Sequence, residues 1–411
     1  MCPGGHRLGL EEEEAAVAAV REVMRSKKLF RHFGVTRNLL QPSRVLQLEN
    51  AFARRMRARH ALAVNSGTSA IVCALRGLGI GPGDEVILPS YSWVSTASAV
   101  VSVGAVPILA EIDESLTLDP ADVEAKISPL TRAILAVHMR GAPARLDVLL
   151  DLASRRGLFL IEDVAQSLGA SFFGKQLGTL GDAGVFSFQM SKILTAGEGG
   201  MLLSAEQLTH ERAVMYHDSA VCLHRGVELE DWIAGLNLRM SELHAAILLV
   251  QLDRLDDILN AMRERKKQLL NVIKNPLERR GISFRALHDE QGDAATSLVF
   301  FLPDASKVQP VIDGLLRENV PASRMYNDLA FLPRDPIDLH VYTSWAPILK
   351  QRAWSASGAP WSGHPRPLDI DSNPCPRTLA LLRRAVHIDI NPELSFLQVD
   401  QIGKALLRTV H

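Results

Sequence analysis

Short apolar runs alternate with amphipathic segments over the first two-thirds of the chain. Helix-like patterns at 69–78 and 121–127 lie between runs that have the length of buried strands. These runs are ALAV at 61–64, EVILPS at 85–90, AVPILAEI at 105–112, AILAVHM at 133–139, LFLIEDVA at 158–165, AGVFSF at 183–188 and GGMLLS at 199–204. Strand and helix alternating at this spacing predict an α/β fold with a large, mostly parallel sheet covered on both faces.

The pattern changes after residue 236. From 238 onward, four apolar residues recur at the spacing of one helix face, which predicts a long amphipathic helix. They are Met240, Leu243, Ile247 and Val250. Beyond about residue 265, helices mix with short strands. We therefore expect an N-terminal arm and a large domain over 1–264, followed by a smaller α+β domain over 265–411.

A segment between 331 and 376 is rich in proline and aromatic residues. Three of the five tryptophans lie there, namely Trp345, Trp354 and Trp361. The segment is too apolar for a flexible linker. We expect an ordered excursion of the small domain at about 340–367 that packs against or covers something.

Composition limits the class of protein. The 411 residues are 47% hydrophobic and 22% charged, which is typical of a soluble globular protein, and the formal net charge of −1 gives no reason to expect nucleic acid or an anionic membrane as partner. The four cysteines form no CxxC pair, so neither a disulfide framework nor a metal site is expected. The acidic N-terminus is unlike a signal peptide, and no apolar run reaches the ~20 residues of a membrane helix. We expect a cytoplasmic protein.

Three stretches carry candidate chemistry. NSGTSA at 65–70 follows a strand and opens a helix, so its amides and hydroxyls are suited to hold an anion at the positive end of the helix dipole. Asp163 ends an apolar strand, where open α/β sheets place their ligand crevice, and Gln166 follows one turn later. Lys192 lies between an apolar stretch and a glycine-rich loop that ends at Gly200.

Together these groups are what pyridoxal phosphate requires. A lysine amine forms a Schiff base with the cofactor aldehyde, a carboxylate keeps the pyridine nitrogen protonated, and a helix N-terminus holds the phosphate. Trp93 follows the strand that ends at Ser90 and is a candidate for stacking on the ring. Each feature alone has a simpler explanation, because NSGTSA could be a helix cap, Asp163 the partner of an arginine and Trp93 a core residue.

An ordered set of motifs resembles the DegT-type sugar aminotransferases, a family of fold-type I enzymes that depend on pyridoxal phosphate. The motifs are NSGTSA, GDEVILPSYSW, GAVP, IEDVAQSLGA, FSFQMSKILTAGEGG and GLNLRMSELHAA. The resemblance covers about residues 29–265, with a looser C-terminal echo in NPCPRTLALLRRAVHI. It implies the fold-type I architecture and a homodimer with shared active sites.

The resemblance also implies roles for single residues. Lys192 resembles the Schiff-base lysine, Asp163 the partner of the pyridine nitrogen, Gln166 the residue that contacts the cofactor's phenolic oxygen, and Trp93 the ring-stacking aromatic. Gly67, Thr68 and Ser187 match phosphate-binding positions, and Ser69 belongs to the same cofactor-binding set. Asn237 matches a residue that family members extend into the phosphate site of the neighbouring subunit.

The presence of Lys192, where some relatives carry histidine and dehydrate sugars, favours amine transfer. Gln189 and the sequence around it resemble the family members in secondary metabolism that aminate cyclitols, keto-sugars or related cyclic ketones with glutamine or glutamate. We expect a cyclic polyhydroxy ketone, such as a cyclitol, keto-sugar or sugar phosphate, because tryptophans at 340–367 are suited to closing a pocket.

Several alternatives stay open on the sequence alone. The tryptophans are equally suited to packing the core of the small domain. The acceptor could instead be a nucleotide-linked keto-sugar or a carboxylated cyclic ketone, and the protein could be a regulator that binds the cofactor without turnover. Arg140 and Arg324 are candidates for holding a carboxylate or phosphate of the acceptor.

Overall fold

The computed structural model describes residues 10–31, 43–221, 229–326, 338–353, 356–366 and 374–410. The longer helices before the middle of the chain are α1 Leu10–Ser26, α2 Arg44–Met56, α3 Gly67–Gly77, α4 Ser95–Ser102, α5 Pro120–Lys126, α6 Leu146–Arg156 and α7 Gln207–His217. Those that follow are α8 Glu242–Asp253, α9 Leu255–Glu278, α10 Val308–Arg317, α11 Ala346–Leu349, α12 Pro376–Arg383 and α13 Phe396–Thr409. Trp354 lies outside the described residues.

Seven strands form one large sheet in the order β1-β9-β8-β5-β4-β2-β3. They are β1 His60–Val64, β2 Glu85–Pro89, β3 Val106–Ala110, β4 Thr131–Val137, β5 Phe159–Asp163, β8 Ala183–Ser187 and β9 Gly200–Ser204. Every neighbouring pair is parallel except the two pairs that involve β9. Each of the seven apolar runs thus forms a strand, and the prediction of a mostly parallel α/β sheet is confirmed. The runs are continuously apolar because both faces of the sheet are buried in hydrophobic clusters.

A second, antiparallel sheet has the order β10-β11-β13-β12. Its strands are β10 Ser283–Phe284, β11 Ser297–Phe301, β12 Ser323–Arg324 and β13 Ala385–Asp389, and a two-stranded ribbon pairs β6 Ser171–Phe172 with β7 Lys175–Gln176. The boundary predicted between 264 and 265 falls inside helix α9, which packs against α13. The division into two domains itself stays a prediction.

The helix predicted from 238 differs in two respects. It begins only at Glu242, where Ser241 caps it, and a break at Arg254 separates α8 from α9. The predicted face is wrong, because α8 buries a different set of residues: Glu242, Ala245, Ala246, Leu248, Gln251 and Leu252. Leu243, Ile247 and Val250 are only half-buried. This helix packs against both α1 and α2 and is apolar on most of its circumference, so periodicity does not select the buried face.

The tryptophan-rich segment is described over 338–353 and 356–366, and its role as an excursion of the small domain stays a prediction. Trp345 is fully buried and Trp361 is 8% exposed, and both belong to the hydrophobic cluster that also contains Tyr91 and strands of the large sheet. The expectation that they close a pocket is therefore wrong for these two residues. Their cluster contains residues of the predicted small domain, including Phe301, Leu382 and Ala385, as well as strands of the large sheet, so these tryptophans pack a core that the two predicted domains share.

Among the described helices, none combines the length and apolar character that crossing a bilayer would need.

Candidate active site

A cavity of about 420 Å³ opens at the carboxyl ends of the parallel strands. Val137 ends β4, Asp163 ends β5 and Ser187 ends β8, and all three line it. The carboxyl ends of parallel strands lie at the same edge of the sheet, and open α/β sheets bind ligands at that edge. Candidate residues that are far apart in the sequence therefore meet at one site.

The N-terminus of α3 forms one wall of the cavity. Ser66 caps this helix by accepting a hydrogen bond from the Ser69 N–H at 3.1 Å, and Ser66, Gly67 and Thr68 line the cavity. The first N–H groups of a helix have no intrahelical acceptor, and they lie at the positive end of the helix dipole. A β-carbon on Gly67 would lie 2.7 Å from the Ser187 Cβ, so the lack of a side chain lets the helix approach β8. The wall is built to hold an anion such as phosphate.

Lys192 lies in the loop that connects β8 to β9. The loop is closed by backbone hydrogen bonds, from the Met190 N–H to the Gly197 carbonyl at 3.0 Å and from the Phe188 N–H to the Gly199 carbonyl at 2.8 Å. Gly197 has φ of 85° and Gly199 of 146°, values that residues with side chains rarely adopt. The glycines therefore let the chain double back and hold Lys192 at the cavity, which it lines.

Asp163 is the buried acid of the site, with 4% of its surface exposed. Its carboxylate accepts hydrogen bonds from the Ala165 N–H at 3.0 Å and the Thr96 hydroxyl at 3.3 Å. Burial raises the pKa of Asp163 above its usual range, while these donors and the nearby positive charge of Lys192 act in the opposite direction. A carboxylate removed from water in this way is stabilised by a cationic partner inside the cavity, and a protonated pyridine nitrogen is such a partner.

Gln166 is held in a defined orientation at the cavity. Its Oε1 accepts a hydrogen bond from the Arg140 N–H at 3.1 Å, which leaves its amide nitrogen 3.5 Å from Nε2 of His340. Trp93 is 43% exposed and lines the cavity, with its ring centroid 5.0 Å from that of His340 in an edge-to-face arrangement.

Arg140 also lines the cavity, and its backbone is in the left-handed region with φ of 52°. Arg285 stabilises this conformation by donating to the carbonyls of Met139 and Arg140, at 2.6 and 3.1 Å. The Arg140 side chain donates to the Tyr91 hydroxyl at 3.2 Å and lies 3.3 Å from Nε2 of His387. A guanidinium fixed in this way is suited to a carboxylate or phosphate of a bound molecule.

Most of the residues singled out from the sequence converge here, and a few do not. Gly67, Thr68, Trp93, Asp163, Gln166, Ser187 and Lys192 line the cavity. Ser69 is not among the lining residues, because its hydroxyl bonds to Asn65 and Ser66. Arg324 lies on β12, paired with Val386, and does not line the cavity either. Asn237 is exposed, forms an isolated β-bridge with Asp218 and does not line the cavity of its own chain.

Sequence reasoning missed several residues of the site. His340 and Asp389 line the cavity from distant parts of the chain, Thr296 joins them, and Thr96 donates to Asp163. Asp389 ends strand β13 of the antiparallel sheet, where the rule for the carboxyl ends of parallel strands gives no signal.

The fold and the site define an α/β protein whose cavity joins a lysine, a buried carboxylate and a helix N-terminus. The chain matches the DegT/DnrJ/EryC1/StrS aminotransferase family over residues 11–337 and belongs to that family. The resemblance drawn from the motifs is confirmed.

Individual relatives are similar over part of their length. A 238-residue stretch is 44% identical to the L-glutamine:2-deoxy-scyllo-inosose aminotransferase of Streptoalloteichus tenebrarius, covering 55% of this chain and 56% of that protein. A 222-residue stretch is 41% identical to the GDP-perosamine synthase of Caulobacter vibrioides, covering 54% of this chain and 59% of that protein. These matches span little more than half the length of the relatives.

Solved structures match the whole chain. The crystal structure of 3-amino-5-hydroxybenzoic acid synthase has a TM-score of 0.80 at 25% identity, covering 100% of this chain and 98% of that chain. The architecture of the two sheets is therefore one that is found in the experimental structures of this family.

Proposed function

We propose that this protein is a pyridoxal-phosphate-dependent aminotransferase that moves an amino group from L-glutamine or L-glutamate to a cyclic ketone in secondary metabolism. The observation that carries the proposal is the convergence of Lys192, Asp163 and the N-terminus of α3 on one cavity. Family membership and the inosose aminotransferase among the similar proteins support it.

The residues present fit the cofactor. The helix N-terminus at Gly67 and Thr68, with Ser187 beside it, is suited to the phosphate. Asp163, whose pKa burial raises, is suited to the pyridinium. Trp93 lies where an aromatic could cover one face of the ring. When bound, pyridoxal phosphate supplies an electron-poor ring that stabilises negative charge on the reacting carbon.

The chain's own groups would handle protons and orientation. Lys192 Nζ takes the proton from the α-carbon of the amino donor and holds it until it is returned, as a positioned general base does. Asp163 stays charged and thereby keeps its partner protonated. Arg140 binds a carboxylate, and the amide N–H of Gln166 is fixed toward the cavity because its oxygen is engaged by Arg140.

For the acceptor we propose a cyclic polyhydroxy ketone, such as a cyclitol, keto-sugar or sugar phosphate. The relative from Streptoalloteichus tenebrarius is named for such a ketone, and the cavity wall offers several hydrogen-bonding groups: Ser92, Thr96, Gln166, Gln189, Thr296, His340 and Asp389. A carboxylated cyclic ketone is a second candidate, favoured by Arg140. A nucleotide-linked keto-sugar remains a third candidate, which the GDP-perosamine synthase supports.

We also propose a homodimer in which Asn237 of each subunit completes the phosphate site of the other. Asn237 is exposed and does not line its own cavity, and three exposed apolar residues lie near it in the sequence. These are Trp232, Ile233 and Leu236, which is 51% exposed. An apolar surface of this kind is suited to burial against a second copy of the chain.

The test is a spectroscopic half-reaction. The purified protein loaded with pyridoxal phosphate is mixed with L-glutamine or L-glutamate, and conversion of the aldehyde-form absorbance to the amine form is expected. Return of the aldehyde form on adding ketones then ranks the acceptors. A loaded protein that responds to no amino donor would be a cofactor-binding regulator, and the proposal would be abandoned.

A further inference from the structure

The segment that begins at Asp338 is docked on the loop that carries Trp93. The Ser92 N–H donates to the His340 carbonyl at 2.9 Å, and the Val94 N–H donates to the Leu339 carbonyl at 3.0 Å. The buried Trp345 donates its indole N–H to the Leu339 carbonyl at 2.9 Å. His340 is therefore held at the cavity by backbone pairing and by a core anchor.

Asp338 determines which nitrogen of His340 carries the proton. One oxygen of Asp338, Oδ1, lies 2.9 Å from Nδ1 of His340 and accepts the backbone N–H of the same residue at 2.9 Å. The hydrogen bonds from His340 outweigh burial and lower the pKa of Asp338, so it is a charged acceptor. Nδ1 therefore carries the proton and, in the neutral ring, Nε2 is left as an acceptor.

The ring stays neutral near pH 7. Burial lowers the pKa of His340, and the positive charges of Arg140 and Lys192 lower it further, against the opposing effect of Asp338. Tyr91 packs beside the ring at a centroid distance of 6.3 Å and Trp93 at 5.0 Å. An uncharged acceptor nitrogen thus lies in the wall of the cavity, between an aromatic ring and the amide of Gln166.

Nε2 of His340 can accept a stronger hydrogen bond than the one that Gln166 offers. The Gln166 amide nitrogen is 3.5 Å from Nε2, which is at the long limit of a hydrogen bond. A hydroxyl at an ordinary distance would bind more strongly. A neutral imidazole acceptor favours a group that carries a hydroxyl proton, and it gains nothing from a carboxylate or phosphate oxygen.

On these grounds we propose that His340 determines acceptor specificity by accepting a hydrogen bond from a ring hydroxyl of the ketone, and that Asp338 is the positioning residue that sets its tautomer. The inference rests on the proposed function and narrows its acceptor class. The family match ends at residue 337, immediately before this pair, so the pair belongs to a part of the chain that the family match does not cover.

The first test measures the two half-reactions of the loaded enzyme separately, for the wild type and for His340→Phe. The phenyl ring keeps the contact with Trp93 and removes the acceptor nitrogen. With scyllo-inosose and its monodeoxy analogues as ketones, the wild type is expected to react about tenfold more slowly with one deoxy analogue, because a polar group of the site loses its partner. His340→Phe is expected to abolish that difference and to slow the ketone half-reaction more than the glutamine half-reaction.

His288→Asn is the matched control. His288 also has an aspartate near its ring, because its Nε2 lies 3.8 Å from Asp113, beyond hydrogen-bond distance, and it does not line the cavity. It is expected to keep the wild-type ratio between ketones. Asp338→Asn is expected to reduce the ratio, because an amide can donate to Nδ1 and so move the proton to Nε2.

Binding gives a readout that does not depend on turnover. Calorimetry of the cofactor-loaded protein with scyllo-inositol, which cannot react, should give about tenfold weaker binding to His340→Phe than to the wild type. Histidine ¹⁵N spectra should assign the proton of His340 to Nδ1 in the wild type and show its loss from that position in Asp338→Asn.

The outcomes separate the two proposals. Unchanged preferences and unchanged scyllo-inositol binding in His340→Phe would overturn the role of His340 while leaving the aminotransferase in place. Equal slowing of both half-reactions would do the same, because it would indicate a general effect through Gln166. Failure of the wild type to react with glutamine or glutamate would instead refute the proposed function, and the calorimetric arm would still decide whether His340 binds a cyclitol.

Discussion

Gly67 and Ser187 approach so closely that a β-carbon on Gly67 would lie 2.7 Å from the Cβ of Ser187. This contact joins the N-terminus of α3 to the end of β8, and both residues line the cavity. The geometry of the proposed phosphate site therefore depends on the absence of one methyl group.

Replacing Gly67 by alanine is expected to push the helix N-terminus away from β8. We expect a loss of about 1–3 kcal/mol in the free energy of unfolding, which is typical of overpacking, and weaker binding of pyridoxal phosphate. Thermal melting and a spectroscopic titration with the cofactor measure the two effects. The double variant Gly67→Ala/Ser187→Gly relieves the clash and should recover stability more than cofactor affinity. Normal affinity of Gly67→Ala would contradict this account of the wall.

Asp163→Asn separates stability from function. The amide oxygen can still accept from the Ala165 N–H, and the amide nitrogen can donate to the Thr96 hydroxyl in place of the present bond. We therefore expect the variant to bind pyridoxal phosphate and to lose nearly all of the chemical step. Stopped-flow measurement of the glutamine half-reaction checks this, with Thr96→Val as a milder comparison. Near wild-type turnover would mean that the carboxylate is only structural.

The raised pKa of Asp163 also predicts a pH dependence for the cofactor-free protein. A carboxyl whose pKa is higher in the folded state favours folding at low pH, and this contribution is lost as pH rises through the folded-state pKa. Asp163→Asn should therefore melt at a higher temperature than the wild type at pH 7, with the gain shrinking towards pH 4. A gain that is independent of pH would contradict burial of the charge as its cause.

His387 is expected to contribute to acid unfolding. Burial lowers its pKa to about 4, with Arg140 acting in the same direction and Asp389 opposing it. The unfolded chain therefore binds a proton between pH 6.5 and 4 that the folded chain does not, so stability falls as pH falls through this window. The loss at pH 5 relative to pH 8 should be on the order of 2 kcal/mol from this group. Urea unfolding of His387→Gln at both pH values should show a smaller difference.

Two tryptophans of the site region are expected to behave in opposite ways. Trp345 is fully buried, so Trp345→Leu should cost about 3 kcal/mol or more in unfolding free energy. Trp93 is 43% exposed, so Trp93→Leu should leave stability within about 1 kcal/mol of the wild type and weaken cofactor binding. Chemical denaturation and cofactor titration of the pair provide the comparison. A large loss of stability in Trp93→Leu together with weaker cofactor binding in Trp345→Leu would show that Trp93 is not the tryptophan of the cavity wall.

The proposed sharing of sites predicts complementation between inactive variants. Each proposed site takes Lys192 from one subunit and Asn237 from the other. A dimer of one Lys192→Ala subunit and one Asn237→Ala subunit therefore contains one site with both changes and one site with neither. After subunit exchange, about a quarter of the sites should be intact. Turnover of the mixture above that of each parent measures this, and sedimentation of an active monomer would contradict it.

The strands and most of the cavity could be predicted from the sequence because their signals are local. Each strand of the large sheet is a continuous apolar run, and Asp163 and Ser187 lie where such runs end. The buried face of α8 was not predictable, because Ala, Leu, Ile and Val surround the helix and its neighbours decide which side is covered. His340 was missed because its position depends on backbone pairing with a loop about 250 residues earlier in the chain, which no local pattern encodes.

Trp345 and His340 have different roles in one short segment. The indole anchors the segment in the core beside the large sheet, whereas the imidazole five residues earlier faces the cavity. Because folding energy and substrate contact reside in different side chains, residues around 338–340 can vary without dismantling the anchor. Substitutions in this segment can therefore change which ketone is accepted, while Lys192, Asp163 and the N-terminus of α3 stay constant.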